Sequence, residues 1–212
     1  MRITVFGAAG NVGSRVVAEA LSRGHEVTAV VRNPARFPQL PAGAEARVGD
    51  ASNPEDVARL SAGRDVVIGA TRPAPGSEGE LVKATEGLLT GLAHTGVRLM
   101  VVGGAGSLMV PGTGGTTVID APGFPADWRG IALACNAQLA ACRAETEVDW
   151  AYLSPAAVLE PGVRTGTYRL GGDELVVDAE GNSSISMEDL AVVLLDEVER
   201  PRHVRVRFTA GY

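Results

Sequence analysis

Met1-Arg-Ile-Thr-Val-Phe-Gly7-Ala-Ala-Gly10-Asn-Val-Gly13 opens the chain with an apolar run that leads into three glycines at three-residue spacing. Ile3 and Val5 belong to a β-branched run of the kind found in a buried parallel strand. After the glycines, apolar residues recur at helical spacing, at Val12, Val16, Val17, Ala20 and Leu21. A strand, a glycine turn and a helix in this order are typical of a turn that binds the pyrophosphate of a dinucleotide.

Each glycine of this turn has a separate expected role. Gly7 permits a tight turn out of the strand, Gly10 lets the backbone approach a phosphate, and Gly13 lets the helix lie close to the sheet. The helix then directs its free N–H groups toward the phosphates. The alternative is a turn that needs flexible residues only. The predicted cofactor-binding residues of this turn are Gly7, Ala9, Gly10, Asn11, Val12 and Gly13.

The composition indicates one globular α/β domain. A chain of 212 residues with 45% hydrophobic and 21% charged residues is long enough to bury a core without disulfides. The net charge of -6 and the 4% aromatic content both disfavour a nucleic-acid partner. We expect a small-molecule substrate and a monomer or homodimer.

No apolar run reaches the length of about 20 residues that a membrane span needs. Because the first residues already form the expected strand, no room is left for a signal peptide, and we expect a cytoplasmic protein. Cys135 and Cys142 are expected to be unpaired core residues, since they lie seven positions apart on one predicted helix. The histidines and cysteines show no metal-ligand spacing, and no metal is expected.

Further strands and helices alternate along the chain. Strands are predicted over Glu26–Val31, Ala44–Val48, Asp65–Ala70, Val97–Val102 and Asp149–Ser154, and helices over Pro54–Leu60, Glu80–Thr95 and Pro125–Thr146. This repetition predicts a Rossmann-like, doubly wound parallel sheet. In such a sheet ligands bind at the carboxyl ends of the strands, and the small residues Gly69 and Ala70 would let a cofactor lie against one of them.

The residues after the sixth strand form a different pattern. We predict a single domain over 1–212, with a dinucleotide-binding core over about 1–158 and an extension over about 159–212 that covers the substrate cleft. Short strands are expected within 162–172 and 175–178. A helix through Glu199 is expected to begin at a Ser186 cap, with Asp189 reaching back to it. A half-exposed strand over 202–208, with solvated basic residues, would end the chain.

Arg32 follows the second strand, where an NAD-binding fold commonly carries an acidic residue that accepts hydrogen bonds from the ribose. A guanidinium suits the 2′-phosphate of NADP instead. The alternative is a solvated arginine at a strand end. We therefore predict NADP as the cofactor, with NAD as the second choice.

Several segments together resemble the NADH-flavin reductase group within the NAD(P)H-binding, NmrA-like atypical short-chain dehydrogenase/reductases. They are the Gly-x-x-Gly-x-x-Gly turn of 7–13, Gly-Gly-Ala-Gly-Ser-Leu at 103–108, Asp-Ala-Pro-Gly-Phe-Pro at 120–125, Ser-Pro-Ala at 154–156, Ser-Met-Glu-Asp at 186–189 and Arg-Phe-Thr-Ala-Gly-Tyr at 207–212. The resemblance implies hydride transfer from a nicotinamide to a flavin, a quinone or a similar planar acceptor.

The resemblance also implies site residues. Asp50 would lie beside the adenine and accept from its amine, although an Asx turn at this position is an equally good interpretation. Ser107 would orient the substrate as the catalytic hydroxyl. The remaining contacts to the cofactor would come from Gly103, Gly104, Ser154, Pro155 and Ala156.

The sequence departs from ordinary short-chain dehydrogenases in lacking a Tyr-x-x-x-Lys motif, and Lys83 is its only lysine. Carbonyl reduction assisted by a tyrosinate is therefore not expected. Two alternatives remain open, a non-catalytic NADP-sensing protein and, less favoured, a sugar-nucleotide epimerase or dehydratase. Asp120 and Asp127 are secondary candidates for an acid, although turn or cap roles suit them better.

Overall fold

The computed structural model describes residues 1–212, which form ten strands and five α-helices. The strands are β1 Arg2–Phe6, β2 Glu26–Val31, β3 Glu45–Val48, β4 Val66–Gly69, β5 Arg98–Val102, β6 Trp150–Ser154, β7 Val158–Glu160, β8 Arg169–Gly171, β9 Ser184–Ser186 and β10 Val206–Gly211. The α-helices are α1 Asn11–Ser22, α2 Pro54–Ser61, α3 Gly79–Leu92, α4 Ala126–Ala144 and α5 Met187–Glu199. Two 3₁₀ helices cover Pro34–Gln39 and Val118–Asp120.

Eight strands form one sheet in the order β3-β2-β1-β4-β5-β6-β10-β8. All neighbours are parallel except β8, which runs antiparallel to β10 at one edge. The chain moves outward from β1 in one direction through β2 and β3, and in the other through β4 and β5. Since ligands bind beside such a reversal of strand order, the carboxyl ends of β1 and β4 are the expected ligand position. The predicted Rossmann-like fold is confirmed.

Helices cover both faces of this sheet. On one face, α1 and α5 pack over apolar side chains of β1, β2 and β6, including Ile3, Val5 and Leu153. On the other face, α2, α3 and α4 pack over Phe6, Trp150 and their neighbours. Both faces are apolar because parallel strands in such a sheet are buried on both sides.

Two of the three strands that begin after residue 160 join the same sheet, whereas β9 pairs with β7 in a separate two-stranded parallel sheet. β10 and β8 add two strands beside β6, and α5 lies next to α1. The assignment of this region as a cover over the substrate cleft stays a prediction.

Three local predictions in this region were wrong. The last strand begins at Val206 and continues to Gly211 rather than covering 202–208, and the side chain of Arg207 is buried rather than solvated. Residues 175–178 form no strand. Ser186 does cap α5 by accepting from the Asp189 N–H, but the Asp189 carboxylate binds the backbone N–H groups of Thr165 and Gly166 instead of reaching back.

Both cysteines are free, as predicted. Burial raises the pKa of Cys135 to about 11 and that of Cys142 to about 12, so neither thiol is ionised near neutral pH. The structure contains no group of three potential metal ligands. None of its helices combines the length and apolar character that crossing a membrane requires.

Candidate functional site

Two positions in the turn between β1 and α1 have no room for a side chain and therefore require glycine. Gly7 has a φ of +80°, and a Cβ there would lie 2.4 Å from the carbonyl oxygen of Ala70. A Cβ on Gly13 would lie 2.2 Å from the carbonyl oxygen of Gly7, so the helix can approach the strand only without a side chain. The turn is therefore held tightly against the end of β4.

The amino end of α1 has the free N–H groups that binding of an anion requires. Gly10 is its N-cap and supplies no side-chain cap, and no acidic residue lies in the first turn. The first N–H groups of a helix have no acceptor within it, so those that follow Gly10 are available to a ligand. One cation lies beside them, since Arg36 Nη2 donates to the Ala9 carbonyl at 2.6 Å. Arg15 Nη1 donates to the Asn11 carbonyl at 2.7 Å, but this guanidinium is already paired with Glu188 at 2.5 Å. No protein carboxylate caps this helix end, and a diphosphate fits its chemistry.

A cleft of about 470 Å³ opens beside this turn, along the carboxyl ends of β1, β2 and β4. Its lining includes six of the predicted cofactor-binding residues, Gly7, Ala9, Gly10, Arg32, Asp50 and Ala70. Asn11, Val12 and Gly13 form the first turn of the adjoining helix. Gly69 does not line the cleft; a Cβ there would lie 2.8 Å from Leu88 Cδ1, so the residue allows α3 to pack.

Arg32 and Arg36 line the cleft beside the carboxyl end of β2. Arg32 Nη1 lies 3.1 Å from Glu80 Oε2, and both side chains are more than half exposed. Arg36 was not identified from the sequence. Asn33 accepts from the Ala35 N–H and caps the 3₁₀ helix, which returns Arg36 toward the glycine turn. The Asn33-Pro34 pair, a helix-capping residue before proline, was the available sequence signal.

Asp50 follows the Asx-turn interpretation in this structure. Its Oδ1 accepts from the Ser52 N–H at 2.9 Å and from the Ser52 hydroxyl at 2.8 Å, and Asn53 caps the next helix. The carboxylate still lies in the cleft lining. An adenine contact at Asp50 is compatible with this turn and stays a prediction.

The other predicted residues lie outside this cleft, at the carboxyl ends of β5 and β6. A Cβ on Gly103 would lie 2.0 Å from the ring of Tyr152, and one on Gly104 would lie 2.8 Å from Cys135 Sγ. Close packing against Tyr152 and Cys135 is therefore sufficient to require glycine at both positions. Ser154, Pro155 and Ala156 are buried, and the Ser154 hydroxyl has no hydrogen-bond partner.

Ser107 lies in the loop after β5 and has a charged partner that the sequence did not reveal. Arg207 Nη1 donates to Ser107 Oγ at 3.0 Å. The same guanidinium donates through Nε to Asp173 Oδ1 at 2.8 Å. Ser107, Asp173 and Arg207, from three separate segments, thus form one polar group beside the strand ends.

None of the three tyrosines offers a free phenol beside Ser107. Tyr152 Oη lies 2.9 Å from the Cys135 carbonyl, and burial raises the pKa of this phenol well above its ordinary value. Tyr168 donates to Asp196, and burial and this carboxylate raise its pKa to about 12. Tyr212 donates to Asp189. Each of the three phenols thus contacts an acceptor of the protein itself.

Asp120 and Asp127, the secondary candidates for an acid, lie in a turn and in the first turn of a helix, respectively. Asp120 Oδ2 accepts from the Thr117 hydroxyl at 2.7 Å and lies in the second 3₁₀ helix, which is a turn role. Asp127 lies in the first turn of α4 and is exposed there, where a carboxylate is favoured by the helix dipole.

Comparison with known proteins agrees with this geometry. YwnB of Bacillus subtilis is 38% identical over 99% of this chain and 97% of its own. SP1627 of Streptococcus pneumoniae, a candidate NADH-flavin reductase, has a TM-score of 0.86 and 33% identity over 100% of this chain and 99% of its own. A candidate exported protein of Burkholderia pseudomallei has a TM-score of 0.89 and 40% identity over the full length of both chains. Residues 7–201 match the NAD(P)H-binding family, and this chain is a member of that family.

Proposed function

We propose that this protein is an NADPH-dependent reductase of a flavin, a quinone or a similar planar acceptor. The observation that carries the proposal is the uncapped amino end of α1, which opens into a cleft of about 470 Å³ between backbone N–H groups and arginines. Membership of the NAD(P)H-binding family supports an oxidoreductase. The structural likeness to SP1627 supports a planar acceptor.

Arg32 and Arg36 support NADPH rather than NADH. Both line the cleft at the end of β2, where the ribose of a bound dinucleotide lies in this fold. A 2′-phosphate carries charge that two guanidinium groups can bind through charge-assisted hydrogen bonds, whereas the hydroxyl of NADH offers no charge. No acidic residue follows β2 to accept from that hydroxyl.

Ser107 and the 154–156 segment supply positioning at the other end of the site. A bound NADPH supplies a hydride, and a planar acceptor needs stacking at van der Waals distance and exclusion of water more than it needs an acid beside a carbonyl. Ser107 orients the acceptor by a hydrogen bond, and the buried backbone of 154–156 limits access of water.

The proposal is tested by following NADPH oxidation at 340 nm after addition of FMN, riboflavin or a quinone. We expect turnover with at least one of these acceptors and slower turnover with NADH. Tight NADPH binding without turnover across the whole panel would contradict the reductase and favour a sensing role instead.

Glu80→Gln is expected to tighten NADPH binding about two-fold. Glu80 competes with a 2′-phosphate for Arg32, and the gain is small because both side chains are largely exposed and solvent weakens the ion pair. The measurement is the Kd for NADPH and NADH by quenching of the two tryptophans. An equal change for both dinucleotides would show that Glu80 does not act through the phosphate.

A further inference from the structure

Arg207 is a buried cation that lies beside the proposed substrate-orienting hydroxyl of Ser107. Only 4% of its side chain is exposed, and its guanidinium contacts Ser107 on one side and Asp173 on the other. Asp173 is itself 56% exposed and lies 3.6 Å from Arg143. The Asp173 carboxylate is thus shared with Arg143 and exposed to solvent, whereas the Arg207 guanidinium is buried against Ser107.

The geometry fixes the direction of the Ser107 hydrogen bond. A guanidinium has N–H donors and no acceptor, so Ser107 Oγ must accept from Arg207 Nη1. The hydroxyl hydrogen of Ser107 is then free for a different partner, and the protein provides no acceptor for it. A hydroxyl polarised by a cation on its oxygen is also a stronger donor than an isolated one.

Ser107 follows β5 at the carboxyl end of the sheet, which is the edge where ligands bind in this fold. Hydride addition places negative charge on the acceptor, and a preorganised donor aimed at that charge lowers the barrier. A cation 3.0 Å behind the donor strengthens this effect without contacting the acceptor.

We propose that Arg207 is a positioning residue that holds Ser107 as a hydrogen-bond donor to the acceptor atom that gains charge. The proposal rests on the proposed reductase function. Ser107 keeps its proton and donates a hydrogen bond while the acceptor takes up a hydride, and solvent water supplies the proton that completes the reduction. Arg207 takes no part in proton transfer and acts only through Ser107.

A purely structural role for Arg207 gives a different expectation. The Asp173 carbonyl accepts from the Met109 N–H, and Leu175 N–H donates to the Met109 carbonyl, so the loops at 103–110 and 171–175 are already tied together. If Arg207 only strengthened this tie, its removal would lower stability and would affect the reaction equally with or without Ser107.

The test is a double-mutant cycle with Ser107→Ala and Arg207→Met. We expect each single variant to lower kcat about 10- to 100-fold, with the Kd for NADPH unchanged within about two-fold. Because Arg207 acts through Ser107, the double variant should have nearly the kcat of Ser107→Ala alone. Effects of the two substitutions that multiply, or an unchanged kcat for Arg207→Met, would overturn the proposal.

Two further variants keep the test decisive. Arg207→Gln retains an N–H donor and much of the volume, so it replaces Arg207→Met in the cycle if that variant folds poorly, with the same expected non-additivity. Arg205→Met is the matched control, because Arg205 lies two positions away and its side chain donates only to the carbonyls of Val148 and Glu147. Its kcat should equal that of the unmodified protein.

The cycle also separates this inference from the proposed function. Absence of NADPH binding to the unmodified protein would refute the reductase itself. Normal NADPH binding and turnover with independent effects of Ser107 and Arg207 would refute only the role of Arg207. Melting temperatures of all variants identify any loss of activity that comes from unfolding.

Discussion

The double variant Arg32→Asp/Arg36→Ala is expected to bind NADPH at least about 100-fold more weakly and to bind NADH almost unchanged. A hydrogen bond to a charged group contributes about 1.5–3 kcal/mol, and two such bonds to a 2′-phosphate account for this loss. Asp at 32 adds repulsion toward the phosphate and offers an acceptor to the ribose hydroxyls of NADH. Arg32→Asp alone should already weaken NADPH much more than NADH.

The measurement is the Kd of both dinucleotides for each variant at two salt concentrations. Arg47→Asp is the matched control. Arg47 is an exposed residue of the neighbouring β3 that does not line the cleft, so this substitution changes the charge by the same amount outside the cleft. Its effect on NADPH should be small and should disappear at high salt. Equal losses for NADPH and NADH in the Arg32 variants would refute a phosphate contact at the end of β2.

Glu197→Ala is expected to cause a large loss of stability, about 3–5 kcal/mol. The Glu197 carboxylate is 5% exposed and accepts from Arg98 Nη2 at 2.8 Å and from the backbone N–H groups of Arg202 and His203. Removing it leaves the buried Arg98 cation without its closest carboxylate, which is the costly way to break a buried pair. For a chain of this length the melting temperature should fall by about 10 °C.

Glu199→Ala serves as the control on the same helix. Glu199 pairs with Arg23 and His25 but is 31% exposed, so its removal should lower stability by no more than about 1 kcal/mol. Urea unfolding of both variants gives the comparison. Similar losses at 197 and 199 would show that the buried cluster does not hold the carboxyl end of α5.

The same carboxylate makes stability dependent on pH. Burial alone would raise the pKa of Glu197, but the bonds from Arg98 and from the N–H groups of His203 and Arg202 lower it below the ordinary value of 4.5. The stabilisation is therefore complete above pH 4.5 and is lost as the pH falls through the lowered value. Glu197→Gln should flatten this part of the profile in unfolding experiments, and an unchanged slope would assign the acid sensitivity to other groups.

The sequence predicted those parts of the fold that depend on neighbouring residues. The glycine turn at 7–13 and the alternation of apolar runs are local patterns, and the structure confirms β1, α1 and the parallel sheet that follows from them. The predicted ends of β2 to β6 and of α2 to α4 differ from the observed ends by at most three residues, because fraying and capping decide them. The Ser186 cap was predicted correctly because it too is a local pattern, with the capping hydroxyl three residues from the N–H group that it binds.

The errors concern contacts between distant segments. Arg207 was expected in solvent because basic residues alternate near the end of the chain. In the structure β10 lies between β6 and β8, and the Arg207 side chain is buried. Asp189 was assigned to its own helix but binds the backbone at 165 and 166. Periodicity reports which residues share a face, and it carries no information on which other segment covers that face.

We infer that the backbone N–H groups at the start of α1 bind the pyrophosphate of a nicotinamide dinucleotide. Isothermal titration calorimetry with NADPH, NADP⁺, NADH and NAD⁺ tests it most directly. We expect one binding site per chain, with the two 2′-phosphorylated dinucleotides bound more tightly than the other two. Absence of binding heat for all four would contradict it.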